Sequence, residues 1–137
     1  MNRAEWFADT GYWIALANTR DELHLRARAW SERLTATLVT TDAVLIEVAD
    51  AFSGATWRAV ATELIEDVPS DPDITVVPLD RALFKRGFER YRARMDKDWG
   101  LTDCISFVVM EDRGISEALA YDQHFVQAGF RTLLRES

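Results

Sequence analysis

The chain has 137 residues, 48% of them hydrophobic, with a formal net charge of −7. That is room for a single core and too much apolar content for a disordered chain. The acidic balance speaks against a generic nucleic-acid binder, which needs Lys and Arg for phosphates, without excluding a local basic surface, and a lone cysteine, Cys104, excludes an internal disulfide or a Cys-cluster metal site. The apolar runs fall well short of the roughly 18 residues of a membrane span, and no cleavable-signal pattern follows Met1. One domain over residues 1–137, cytoplasmic and without membrane attachment, is the expectation.

Trp6 to Asp9 reads as a short buried strand, followed by helical material from Thr10 to Asn18. Asp21 to Leu34 has helical spacing, with Leu23, Ala27, Trp30 and Leu34 recurring at threes and fours. Thr37 to Thr40 is a β-branched strand, and Thr41 or Asp42 is an N-cap for the helix that carries Glu47. A helix over Thr56 to Asp67 leads to a loop at Pro69-Ser70-Asp71-Pro72-Asp73 and a strand from Asp73 to Val77. From Asp80 the pattern is helical again. Leu83 or Phe84, Phe88, Tyr91 and Met95 form an apolar stripe, and Arg86, Arg90, Arg94 and Lys97 line another face. Thr102 is the expected cap of the next helix, which Gly114 ends. A strand over Ala118 to Tyr121, a helical turn at Gln123 to Gln127 and a last segment from Phe130 to Leu134 complete the set.

Short apolar strands alternating with helices predict a three-layer α/β/α sandwich around a central parallel sheet. Right-handed crossovers bring the C-terminal ends of the strands to one edge, where ligands of such folds bind. Asp9 and Asp122 come at two strand ends, Glu47 near the start of a helix after a strand, and Asp103 in the first turn of another helix. Singly, each has an ordinary structural use: Asp103 complements a helix dipole, Glu47 pairs with an Arg, and Asp122 stabilises a turn. Asp9, in a strand context and followed by apolar residues, is harder to dismiss. Together on one edge they would repel unless a cation offset them. Hard Mg²⁺ or Mn²⁺ with oxygen ligands suits such a cluster, and it can activate water and neutralise charge on a phosphodiester without an obligatory His, Cys or Lys.

Several segments resemble the PIN-domain ribonucleases, especially the VapC-type toxins of bacterial toxin–antitoxin pairs. They are Asp9-Thr10-Gly11-Tyr12-Trp13-Ile14-Ala15-Leu16, the stretch Thr41 to Val48, Asp98-Trp99-Gly100-Leu101-Thr102-Asp103-Cys104-Ile105-Ser106-Phe107, and Ala118-Leu119-Ala120-Tyr121-Asp122-Gln123-His124-Phe125 with Ala128-Gly129-Phe130. The match runs from the first strand to the last, and the two C-terminal motifs are its most specific parts. The resemblance implies a parallel α/β/α sandwich, metal-dependent cleavage of RNA, a cognate antitoxin as partner, and a homodimer. It implies Asp9 and Asp103 as principal Mg²⁺ ligands, with Glu47 and Asp122 completing the cluster as ligands or by orienting metal-bound water. Asp98 stands as a further acid behind them. Thr10 either hydrogen-bonds near the metal or caps the following helix. Tyr121 departs from the pattern, where a small polar residue or Thr is usual.

The charge is uneven. Arg58 is the only basic residue between Asp42 and Asp80, whereas Arg81 to Lys97 holds seven basic residues against Glu89 and Asp96. Arg86, Arg90, Arg94 and Lys97 therefore read either as a guide for RNA backbone or as a solvated helix face. His24 is expected on a solvated helix side, His124 as a candidate substrate contact, the tryptophans as core or interface anchors, and Cys104 as an inert packed thiol. The rival readings are a PIN-like domain in RNA processing outside a toxin pair, a phosphate monoesterase with Asp9 as nucleophile, and a non-catalytic RNA- or protein-binding module. The second is weakened by Gly11, where a second Asp would be needed.

Overall fold

The computed structural model of the protein describes residues 3–136. Strand β1 (Glu5–Ala8) is central in a five-stranded sheet, flanked by β2 (Thr37–Thr41) and then β3 (Ile74–Val77) on one side. On its other side come β4 (Glu117–Leu119) and then β5 (Arg131–Thr132). All four neighbouring pairs are parallel. The chain steps outward from β1 to β3 and returns to lay β4 against the free side of β1. The order thus reverses at the β1/β4 boundary, the place where open parallel sheets leave a crevice at their strand ends.

Helices α1 (Thr10–Ala17) and α2 (His24–Glu32) join β1 to β2, and α3 (Asp42–Ala51) and α4 (Arg58–Ser70) join β2 to β3. Helices α5 (Arg81–Ala93) and α6 (Leu101–Arg113) lead to β4, and the short α7 (Gln123–Gln127) leads to β5. Successive side chains of a strand point to opposite faces, and β1 shows the two covering layers directly. Trp6 meets Trp30 of α2 edge-on, with ring centroids 5.6 Å apart, while Phe7 meets Phe125 of α7 at 6.4 Å. Phe107 of α6 completes that second side, packed edge-on against Phe125 at 5.0 Å and against Trp99 at 5.2 Å.

Local chemistry sets the element ends and corrects several expectations. Thr41, not Asp42, caps α3, its hydroxyl accepting the Val44 N–H at 3.1 Å. Helix α2 begins only at His24, because the Asp21 carboxylate takes the Leu23 N–H at 2.8 Å and makes a turn first. Helix α4 runs through Pro69 to Ser70, so part of the expected loop is helical; the proline forgoes its bond to the preceding turn, and the helix ends one residue later. Thr102 does not cap α6. Gly100 occupies that position, and Gly114 ends the helix in the left-handed conformation, φ 67°. The last strand is only two residues long, followed by a 3₁₀ turn over Leu133–Arg135.

The largest correction concerns α5. Its expected apolar stripe faces solvent, with Phe88 44%, Tyr91 47% and Met95 88% exposed. The inward line is Leu83 and Gly87, with Arg90 half-buried behind them. Gly87 explains the choice. A Cβ there would lie 3.2 Å from the Ile105 Cα and closer still to that residue's side chain, so the missing side chain lets α6 approach the α5 backbone.

Candidate active site

Asp9 is the residue directly after β1 and the N-cap of α1. Its backbone N–H donates to the Leu119 carbonyl at 3.2 Å, tying the ends of β1 and β4 together, and its carbonyl accepts the Tyr12 N–H at 3.1 Å. Its carboxylate makes no capping bond, although only 7% of the residue is exposed. Burial raises the carboxyl pKa from 3.8 to about 8; the Thr10 N–H opposes this, and the charges of Asp103, Glu47 and Asp122 add to it. The other three sequence-selected acids thus lie within electrostatic reach of the buried Asp9 carboxylate.

Glu47 projects from α3 and is exposed. The Thr10 hydroxyl donates to its Oε1 at 2.6 Å. Thr10 therefore orients an acid of the cluster and does not cap α1.

Asp103 lies in the first turn of α6, and its Oδ2 accepts the Gly100 N–H at 3.1 Å. Burial raises its pKa, while His124 and the Gly100 N–H pull it down. Asp122 is the N-cap of α7, its Oδ1 accepting the His124 N–H at 2.9 Å. This turns the His124 ring toward both acids, with Nδ1 2.8 Å from Asp103 Oδ2 and 3.3 Å from Asp122 Oδ1. Asp103, Asp122 and His124 can each offer a ligand atom, all within 4.8 Å of one another.

His124 is the residue whose place sequence reasoning undervalued. A signal was present: an Asp that caps a helix binds the backbone N–H two or three residues on, and His124 stands two residues after Asp122. His24 is also not a solvated residue, since its Nδ1 lies 2.8 Å from the Ala15 carbonyl and its ring is half-buried between α2 and α1. Asp98 is exposed and forms no side-chain hydrogen bond or ion pair among the described residues. Cys104 is fully buried, and burial pushes its thiol pKa up, as suits a packed, unreactive group.

The basic face is tied to nearby acids. Arg86 makes a two-pronged pair with Asp112 at 2.5 and 2.7 Å, and Arg90 pairs with Glu111 at 2.7 Å. Arg94 pairs with Asp96 at 3.0 Å, and Lys97 lies 3.9 Å from the same acid. Arg90, Arg94 and Lys97 also crowd the Trp99 ring, between 5.1 and 6.0 Å from its centroid. Trp99 is 5% exposed and donates its Nε1–H to Gln127 at 3.1 Å, so it is a core anchor beside the site. Tyr121 is half-exposed beneath the Arg135 guanidinium, 4.7 Å from its ring centroid.

The donor set fits a hard divalent cation. It is dominated by carboxylate oxygen, and the Asp9 charge is buried without a cationic partner among the described residues. No described helix is long and apolar enough to cross a membrane.

Comparison with known proteins gives a consistent set of likenesses. The sequence model of the PIN domain matches residues 7–131. The 23S rRNA-specific endonuclease VapC20 of Mycobacterium tuberculosis is 28% identical over 132 residues, covering 90% of this chain and 94% of VapC20. The crystal structure of VapC20, described as a sarcin-ricin loop cleaving toxin, superposes with a TM-score of 0.84 at 25% identity, covering 90% of this chain and 95% of that one. FitAcB from Neisseria gonorrhoeae shares the fold at a TM-score of 0.64 and 14% identity, covering 92% of this chain and 94% of the other.

Proposed function

Since the chain belongs to the PIN domain family, matched over residues 7–131, we propose that it is an Mg²⁺- or Mn²⁺-dependent endoribonuclease acting as the toxin of a toxin–antitoxin pair. The observation that carries this reading is the buried Asp9 carboxylate, whose pKa is raised to about 8 by burial and three neighbouring acids. A group so placed is ionised at neutral pH only when a cation offsets it.

Asp9 and Asp103 would hold the ion, and Glu47 and Asp122 would complete the acidic cluster. When bound, the ion supplies Lewis-acid stabilisation of a phosphodiester and lowers the pKa of a bound water. The remaining work falls to the chain's own groups. Thr10 fixes the Glu47 carboxylate through its 2.6 Å hydrogen bond. His124 holds Asp103 and Asp122 in one arrangement, as an outer group orients metal ligands elsewhere. Of the four basic residues read from the sequence, Lys97 is the least tightly held, 3.9 Å from Asp96, whereas Arg86, Arg90 and Arg94 are each directed onto an acid.

The likeness to VapC20, an endonuclease specific for 23S rRNA, makes a ribosomal stem–loop the first substrate to try. The same reading assigns a cytoplasmic setting, a cognate antitoxin and a homodimer. Purified protein free of any antitoxin should cleave a labelled RNA stem–loop in Mn²⁺ or Mg²⁺ and stop in EDTA, with Asp9→Asn and Asp103→Asn inactive but folded. Undiminished cleavage in EDTA, or by Asp9→Asn, would rule the reading out.

A further inference from the structure

We propose that the outward face of α5 is an RNA-docking platform, on which Phe88 and Tyr91 stack against unpaired bases while Arg81, Lys85 and Arg92 hold the adjoining phosphates. The inference rests on the RNA-cleavage reading above and adds a binding surface outside the acidic cluster.

The two rings are 44% and 47% exposed and already lie nearly parallel, 22° apart with centroids 6.2 Å from each other. At 3.6 residues per turn, Phe84, Phe88 and Tyr91 occupy a sector of about 60°, and Arg81, Lys85 and Arg92 the adjoining sector of about 40°. An aromatic row thus runs beside a cationic row, the pattern that grips single-stranded nucleic acid. The Arg81 guanidinium already sits 5.4 Å from the Phe84 ring centroid.

The charges on this side are free. Arg81, Lys85 and Arg92 form no ion pair among the described residues, in contrast to Arg86 and Arg90 one face away. Glu89 is the single carboxylate of α5; it stands one turn from Lys85 and from Arg92, and it pairs with neither among the described residues. On a chain of net charge −7, a strip with three unpaired cations selects a polyanion. A second copy fits less well, because a two-fold interface over this strip would bring together two surfaces that each carry three cations and, from α5, the single carboxylate Glu89.

The strip directly precedes the acidic motif in sequence. It ends at Met95, 88% exposed. The chain then passes to Gly100, whose N–H is bonded to the Asp103 carboxylate.

The test is fluorescence anisotropy in EDTA, with a labelled RNA stem–loop and a loop-free RNA duplex as probes. Phe88→Ala/Tyr91→Ala should weaken stem–loop binding about tenfold or more while leaving the duplex unaffected, since stacking needs unpaired bases. Lys85→Gln/Arg92→Gln should reduce the slope of log affinity against log salt by about 1.5. Unchanged affinity and slope, or no binding of the stem–loop by the wild type, would overturn the proposal. So would an aromatic variant that alters the sedimentation mass but not RNA affinity, which marks a protein interface. The two readings fail separately. Stem–loop binding that depends on the platform, without metal-dependent cleavage, removes the nuclease; cleavage with unaltered variant affinity removes the platform.

Discussion

The two halves of the acidic crevice solve the same electrostatic problem differently. On the α6–α7 side, Asp103 and Asp122 share the His124 imidazole, and Asp103 also takes the Gly100 N–H. On the β1–α3 side, Glu47 has only the Thr10 hydroxyl, and Asp9 is buried with no cation beside it. One half comes with its compensation built from protein; the other is left for something to bind. The difference teaches where the fold carries unfavourable charge, and unfavourable charge is where a divalent cation gains the most on binding.

The largest break in this comparison is at Asp9. Asp9→Asn should lower RNA cleavage on the order of a hundred- to a thousandfold, since it removes a carboxylate assigned to hold the ion that would stabilise developing charge. The same substitution should make the metal-free protein more stable at pH 7, on the order of a few kcal/mol, because it removes a carboxyl that folding forces to keep its proton. Asp103→Asn should stabilise less, since His124 and the Gly100 N–H already offset that carboxylate. Paired cleavage assays and urea melts would check both statements.

The pH dependence follows from the raised pKa. Between about pH 4 and about pH 8 the native Asp9 keeps a proton that the unfolded chain has released, its pKa being about 8 against a normal 3.8. Metal-free wild type should therefore lose stability as pH rises through that window, and Asp9→Asn should lack this slope. Since binding requires the carboxylate, the stabilisation by Mn²⁺ should be greater at pH 8 than at pH 6.

His124→Gln attacks the compensated half. It should reduce cleavage about 10–100-fold, the usual cost of losing an orienting partner behind a metal ligand, and bring the two halves closer in their response to Mn²⁺. The smallest effect belongs to Thr10→Val. It deletes one hydrogen bond to an exposed carboxylate and should cost about 1 kcal/mol, with a correspondingly modest drop in cleavage rate.

Much of this arrangement was legible before any coordinates. Strand–helix alternation implied the parallel sheet, and the positions of Asp9, Glu47, Asp103 and Asp122 at strand ends and first turns implied one edge. Those features are local and periodic. The facing of α5 was not legible, because Phe88 and Tyr91 look like core residues until the space opposite Gly87 is known. Hydrophobicity told that face to turn inward, but the close approach of Ile105 turned it outward. The ion pairs of Arg86 and Arg90 depend on Asp112 and Glu111 of another helix, a contact that spacing within α5 cannot reveal. His124 was missed for a similar reason, since its importance comes from Asp103, which lies 21 residues away in sequence.

The most direct test of the account is a thermal melt of wild type and Asp9→Asn at pH 8, each without metal and with saturating Mn²⁺. The expected result is a crossover. Without metal the Asn variant melts higher; with Mn²⁺ the wild type gains strongly, while the variant gains little. Equal Mn²⁺ shifts in the two proteins, or a metal-free wild type more stable than the variant, would contradict the claim that Asp9 is a buried charge built to receive a cation.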